Sequence, residues 1–243
     1  MKIPTFISAG HTPALTYAVE KLQGVYPFSP APNPAAKYLL LPVPSFDAEG
    51  YIRGGGSLED LLVKLPNDIT VIGGLLEHPA LAGYDTIDLL KDPYYIAENA
   101  NITAHCAIRL AMQKLPCTLE HCPVLVIGWG RIGKCLCRLL QGLGADVTMA
   151  ARKDTDLAML SALGIPAVPL RQLDPARYRL IFNTAPSMIF PQCPGNALKI
   201  DLASKLGLGG LDVIWARGLP GKDAPESSGK LIADSIFRIL DKE

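Results

Sequence analysis

The sequence carries no excess of charge with which to hold a polyanion and no apolar stretch of membrane-spanning length. Its 23 Lys and Arg are matched by 23 Asp and Glu. A neutral chain has no broad cationic face for nucleic acid, whose binding rests on phosphate neutralisation; a local cationic pocket for a small anion stays open to it. No apolar run approaches the ~20 residues of a membrane helix. The start, Met1-Lys2-Ile3-Pro4-Thr5, has none of the long apolar core of a secretion signal. The expectation is a cytoplasmic protein that binds neither nucleic acid nor membrane. Histidine is scarce, with four residues and none after His121. The six cysteines form no Cys-x-x-Cys pair, and Cys135 and Cys137 stand two apart on an expected helix, where side chains diverge. Cys117, His121 and Cys122 are close in sequence but do not follow zinc-ligand spacing, so no metal is expected. What remains, 49% hydrophobic and 19% charged residues, describes an ordinary folded chain of one large or two modest domains.

Apolar runs alternate with helical periodicity. Ile3 to Ser8 reads as a strand, Ala14 to Leu22 as a helix, and the unbroken run Lys37 to Val43 as a strand buried on both faces. Ser45 to Gly56 reads as a loop ending in three glycines, with Arg53 beside them on a mobile lid. Ser57 caps a helix to Lys64, and Thr70 to Gly73 is another strand. Glu98 to Leu115 has one long helical period. The expected organisation is an abbreviated α/β domain over 1–97, a linker helix and boundary over 98–122, and a second α/β domain over 123–243. The C-terminal helix, Gly229 to Leu240, is free to cross back to the first domain. Alternation of β and α predicts parallel sheets in both.

The sharpest signal is Gly128-Trp129-Gly130-Arg131-Ile132-Gly133, directly after the strand Val124 to Gly128 and opening a helix to Leu143. This is the Rossmann-type dinucleotide fingerprint in its required context. Gly128 permits the tight turn, Gly130 lets backbone approach a pyrophosphate, and Gly133 lets the helix pack close to the sheet. The next strand, Asp146 to Ala150, runs into Ala151-Arg152-Lys153. A carboxylate there would bind the ribose 2′-hydroxyl of NAD; Arg152 and Lys153 instead suit the 2′-phosphate of NADP.

With these residues in view, the chain resembles the A-subunit family of dipicolinate synthase. The resemblance rests on Val124 to Lys153, on Asn183-Thr184-Ala185-Pro186, on Ile200 to Lys205, on Gly218 to Pro225 and on Leu41 to Pro44. It implies two Rossmann-like parallel-sheet domains joined by a long helix. It also implies an NADP-dependent oxidoreductase that, together with a flavoprotein B subunit, converts a cyclic dicarboxylate of the lysine pathway to pyridine-2,6-dicarboxylate. The setting implied is the mother-cell cytoplasm of a sporulating bacterium, and a homo-oligomer is expected. Three departures stand out: Leu206 after Lys205, a short stretch from there to Asp212, and Thr103-Ala104-His105 where the family carries Thr-Ala-Glu.

Ligands of open α/β sheets bind outside the carboxyl ends of the strands. Asn183, Thr184, Ala185 and Pro186 end one strand, and Ser204 and Lys205 follow the next. Thr184 and Ser204 are candidates to bond the carboxamide or ribose. Lys205 is the candidate carboxylate anchor or acid/base, Arg217 and Lys222 are further substrate cations, and His105 is a candidate titrating group. Two alternatives stay open: a non-catalytic NADP-binding sensor or scaffold, and an NADP-dependent hydroxyacid dehydrogenase. The lack of any late histidine counts against the second.

Overall fold

The computed structural model describes residues 3–241, so Met1 and Lys2 of the start lie outside it. The chain divides into two compact units. One comprises Met1–Asn99 with Pro220–Glu243, the other Ala100–Leu219.

In the first unit, β1 (Thr5–Ser8) leads to α1 (Pro13–Gln23), then β2 (Phe28–Ser29), β3 (Ala36–Leu40), α2 (Leu58–Leu62), β4 (Thr70–Gly73) and β5 (Thr86–Asp88). The five strands are parallel, in the order β2-β1-β3-β4-β5. The direction of winding therefore reverses between β1 and β3. Leu39, Leu41, Ile52, Leu58 and Val71 form one core cluster. Ser57 caps α2 through Oγ, accepting from the Asp60 amide at 3.2 Å, as its spacing predicts. The loop expected to be a lid is folded down instead: Phe46 and Ile52 pair as an antiparallel bridge, and Ile52 is 2% exposed.

The long helix α3 (Pro93–Lys114) begins five residues before Glu98. Asp92 supplies the reason, since its carboxylate accepts the Tyr95 amide at 2.9 Å and Pro93 stands at the first helical position. The division between units falls within α3, after Asn99. No helix among the described residues is long and apolar enough to cross a membrane.

The second unit holds β6 (Pro123–Ile127), α4 (Arg131–Gly142), β7 (Asp146–Ala151), α5 (Asp154–Ala162), β8 (Ala167–Pro169), β9 (Leu180–Asn183), β10 (Leu198–Asp201) and β11 (Val213–Trp215). Its parallel sheet runs β8-β7-β6-β9-β10-β11. This is the doubly wound order of dinucleotide-binding domains, with the reversal between β6 and β9. Val124 to Ile127 and Leu180 to Phe182 are buried throughout, as strands covered on both faces must be.

The chain then passes through the short helix α6 (Leu219–Asp223) into α7 (Pro225–Leu240). Helix α7 packs on α1 of the first unit. Gly229 sits at the crossing, where a Cβ would stand 2.5 Å from both the Ala14 carbonyl oxygen and Tyr17 Cβ. Arg238 pairs with Asp92, and Lys21 with Asp234.

Candidate functional site

The glycine turn is tightly packed at two of its glycines and open at the third. Gly128 has φ +101°, a left-handed conformation, and a Cβ on it would lie 2.6 Å from Thr184 Oγ1. A Cβ on Gly133 would lie 2.0 Å from the Gly128 carbonyl oxygen, so no side chain fits between α4 and the strand end. Gly130 differs from both: a Cβ there would meet nothing within 4 Å. It points into open space ahead of α4, whose first turn carries no acidic residue and no side-chain cap. The first amides of that helix therefore keep their donors for a ligand. Arg131 is exposed at the first helical position and Ile132 is half-buried. Trp129 lies under the Lys134 ammonium, 5.5 Å from the ring centroid. These residues fit a dinucleotide pyrophosphate.

Strand β7 ends in the buried Ala150 and Ala151, followed by the exposed Arg152 and Lys153. Among the described residues neither cation makes an ion pair. The carboxylates Asp154 and Asp156 come next, in the first turn of α5, where the helix dipole favours them.

At the ends of β9 and β10 the polar side chains are largely turned inward. Thr184 Oγ1 donates to the Ile127 carbonyl at 2.9 Å, which braces the glycine turn and leaves a ligand only its acceptor lone pairs. Asn183 is fully buried and donates from Nδ2 to Asp201 at 2.9 Å and to the Ala185 carbonyl at 3.2 Å. Its Oδ1 accepts the Ala185 amide, and Pro186 follows exposed. Asp201, also fully buried, accepts the amides of Ala203, Gly207 and Leu208. The loop it organises presents Ser204 and Lys205 to solvent. Trp215 Nε1 donates to the Ala203 carbonyl, and the exposed Arg217 stacks over the Trp215 ring at 5.2 Å.

The remaining candidates lie on other elements. The sequence puts His105 at a helix start, but because α3 begins at Pro93 it sits mid-helix and exposed. Lys222 is exposed on α6 and groups with the first unit, whereas Arg217 belongs to the second.

One charged pair escapes the sequence reading. Lys199 lies within β10 at 1% exposure, donating to the Gly195 carbonyl at 2.7 Å and pairing with Asp212. The signal is there to be read: a lysine between Leu198 and Ile200 in a buried strand needs a partner for its charge. Both line a pocket of about 580 Å³ with Gln192, Cys193 and Leu211. Burial pushes the Cys193 thiol up from its usual pKa. The Lys199 hydrogen bond holds the Asp212 carboxyl below its usual range. The pair therefore stabilises fully above the ordinary carboxylate pKa, and its contribution is lost as pH falls through the lower folded value. Asp212→Ala is expected to cost about 1–2 kcal/mol by urea denaturation, discounted because Asp212 itself faces water. Lys199→Met is expected to cost less, since it leaves no stranded buried charge. Equal or reversed costs would place the stabilisation elsewhere.

No family model matches the chain. The A subunit of dipicolinate synthase from Bacillus subtilis is 28% identical to it over 230 residues, which cover 83% of this chain and 77% of that one. The crystal structure of the same subunit from Bacillus halodurans superimposes with TM-score 0.83 at 21% identity, covering 98% of this chain and 97% of that one. A transhydrogenase from Sinorhizobium meliloti follows at TM-score 0.67 and 12% identity, covering 98% and 93% of the two chains. Dehydrogenases share the fold at similar or lower TM-scores. In sequence over most of its length, and in fold over nearly all of it, this chain resembles the A subunit of dipicolinate synthase.

Proposed function

We propose that the chain is an NADP-dependent oxidoreductase subunit of the dipicolinate synthase kind, working in a homo-oligomer with a flavoprotein B subunit. Its substrate is a cyclic dicarboxylate, which loses water, a hydride and a proton to become pyridine-2,6-dicarboxylate. The observation that carries this reading is the open position at Gly130 ahead of α4, with Arg152 and Lys153 following β7. The first-turn amides of α4 hold the pyrophosphate, and Arg131 adds a cation beside it. Arg152 grips the 2′-phosphate through its planar fork, with Lys153 as a second charge. When bound, the nicotinamide supplies the hydride acceptor. Thr184 orients the turn through Ile127, and its remaining lone pairs accept from the carboxamide or ribose. Lys205, on the loop held by Asp201, anchors a substrate carboxylate with Ser204 beside it. Arg217 and Lys222 are the further cations assigned to the dicarboxylate, and His105 is a further assigned site residue.

The test is titration of the purified chain with each cofactor. NADPH is expected to bind more tightly than NADH by about 1–3 kcal/mol, from charge-assisted bonds to the 2′-phosphate. Arg152→Ala should remove most of that difference. Equal affinities in the wild type would sink the choice of NADP. Turnover of the cyclic intermediate is then followed by NADPH absorbance with and without the B subunit. Tight cofactor binding without turnover in either case favours a non-catalytic, cofactor-sensing protein.

A further inference from the structure

Open parallel sheets bind ligands where the winding direction reverses, outside the carboxyl ends of the strands. In the first unit that place lies between the turn after β1 and the loop after β3. Arg53 is fixed across it. Its amide donates to the Ser45 carbonyl at 2.9 Å, beyond β3, and its carbonyl accepts the His11 amide at 3.0 Å, beyond β1. The two segments meet backbone to backbone because glycines stand at the contact. A Cβ on Gly10 would lie 2.6 Å from the Arg53 carbonyl oxygen, and one on Gly54 would lie 2.2 Å from that of His11.

The side chain is held as well. Arg53 Nε donates to the Phe46 carbonyl at 2.8 Å. The carboxylate of the same loop, Asp47, is turned away, with Oδ1 accepting the amides of Glu49 and Tyr51. Among the described residues the two terminal guanidinium nitrogens have no partner. An exposed arginine with no role gains little from such a hold, because ordering its side chain has an entropy cost. A guanidinium pinned at Nε presents its two terminal nitrogens as a planar fork, the geometry that takes a carboxylate with two parallel hydrogen bonds.

We infer that Arg53 is a substrate-binding residue that anchors one carboxylate of the organic acid on which the chain acts. The inference rests on the reading of the chain as an enzyme of a small carboxylate.

The test uses the full chain saturated with NADPH and calorimetric titration with two probes, pyridine-2,6-dicarboxylate and glutarate. Arg53→Gln should weaken binding about 10- to 100-fold, the loss of a bidentate charged contact. Arg53→Lys should recover only part, since an ammonium restores charge without the fork. NADPH affinity and the urea midpoint should match the wild type in both variants. Equal affinity of wild type and Arg53→Gln for the pyridine acid overturns the assignment and leaves the proposed reaction standing. Arg53-dependent binding of glutarate with no binding of the pyridine acid upholds the carboxylate site and removes the proposed reaction. No binding of either acid by the wild type overturns both. Arg53-dependent binding of inorganic phosphate in preference to both acids makes this a phosphate site and overturns the assignment.

Discussion

Gly130→Val is expected to abolish dinucleotide binding, by more than about 100-fold, while the unfolding free energy from urea denaturation stays within about 0.5 kcal/mol of the wild type. The separation of the two effects comes from local geometry. Gly130 has φ −85° and ψ −169°, extended backbone open to any residue, and a Cβ there touches nothing within 4 Å. The valine methyls would instead fill the space ahead of the first amides of α4, where the pyrophosphate is proposed to lie. The neighbouring glycines make the contrast. Gly133→Ala forces a methyl to within 2.0 Å of the Gly128 carbonyl oxygen, and Gly128→Ala meets both a left-handed φ and Thr184. Those two should lower stability and binding together. A Gly130→Val protein that binds NADPH as well as the wild type does would remove the cofactor from this turn.

The parts of the fold legible in the sequence are those in which burial leaves an unbroken apolar run. Thr70–Gly73 forms a strand at the bounds its sequence predicts, and Asn183 ends one as expected. Strand β5 is not legible, because it lies at a sheet edge and offers only Ile87 as an apolar residue. The start of α3 reads late when hydrophobic period is weighed above the Asp92-Pro93 start signal, and α7 begins at Pro225 for a similar reason. The glycine turn is legible because Gly128 and Gly133 meet demands of backbone angle and close packing that only glycine meets. The roles of Thr184 and Asn183 are not, because a polar residue at a strand end serves a ligand or its own backbone equally well until the acceptor is seen. Arg53 is legible as a cation near glycines, but the loop that reads as mobile is tied to two strand ends. That pairing joins residues far apart in sequence, which no local pattern reports.

Asp201 separates a structural from a catalytic account of the loop that carries Ser204 and Lys205. Its Oδ2 accepts three donors, from Asn183 Nδ2 at 2.9 Å, Gly207 N at 2.8 Å and Leu208 N at 2.9 Å, and Oδ1 accepts Ala203 N at 2.9 Å. The loop is thus fastened at both ends to one fully buried carboxylate. Gly207 allows the closure, since a Cβ there would lie 2.5 Å from Asn183 Nδ2. Asp201→Asn keeps the volume but replaces one acceptor oxygen by a donor. In its better orientation the amide oxygen stays toward the three donors, and its NH₂ then confronts the Ala203 amide. One donor is stranded and the charge assistance to the others is lost, at a cost of about 2–4 kcal/mol. Asp201→Ala strands all four donors and should cost about 3–5 kcal/mol, less whatever water recovers. Both costs are read from urea midpoints. The cofactor affinity of the folded fraction should fall only modestly, because the phosphate turn is braced by Thr184 rather than by Asp201. Substrate affinity should fall further, because Lys205 loses its platform. An Asp201→Asn protein with a wild-type urea midpoint and no turnover would mean that this carboxylate acts on the substrate directly, and that the loop holds its shape without it.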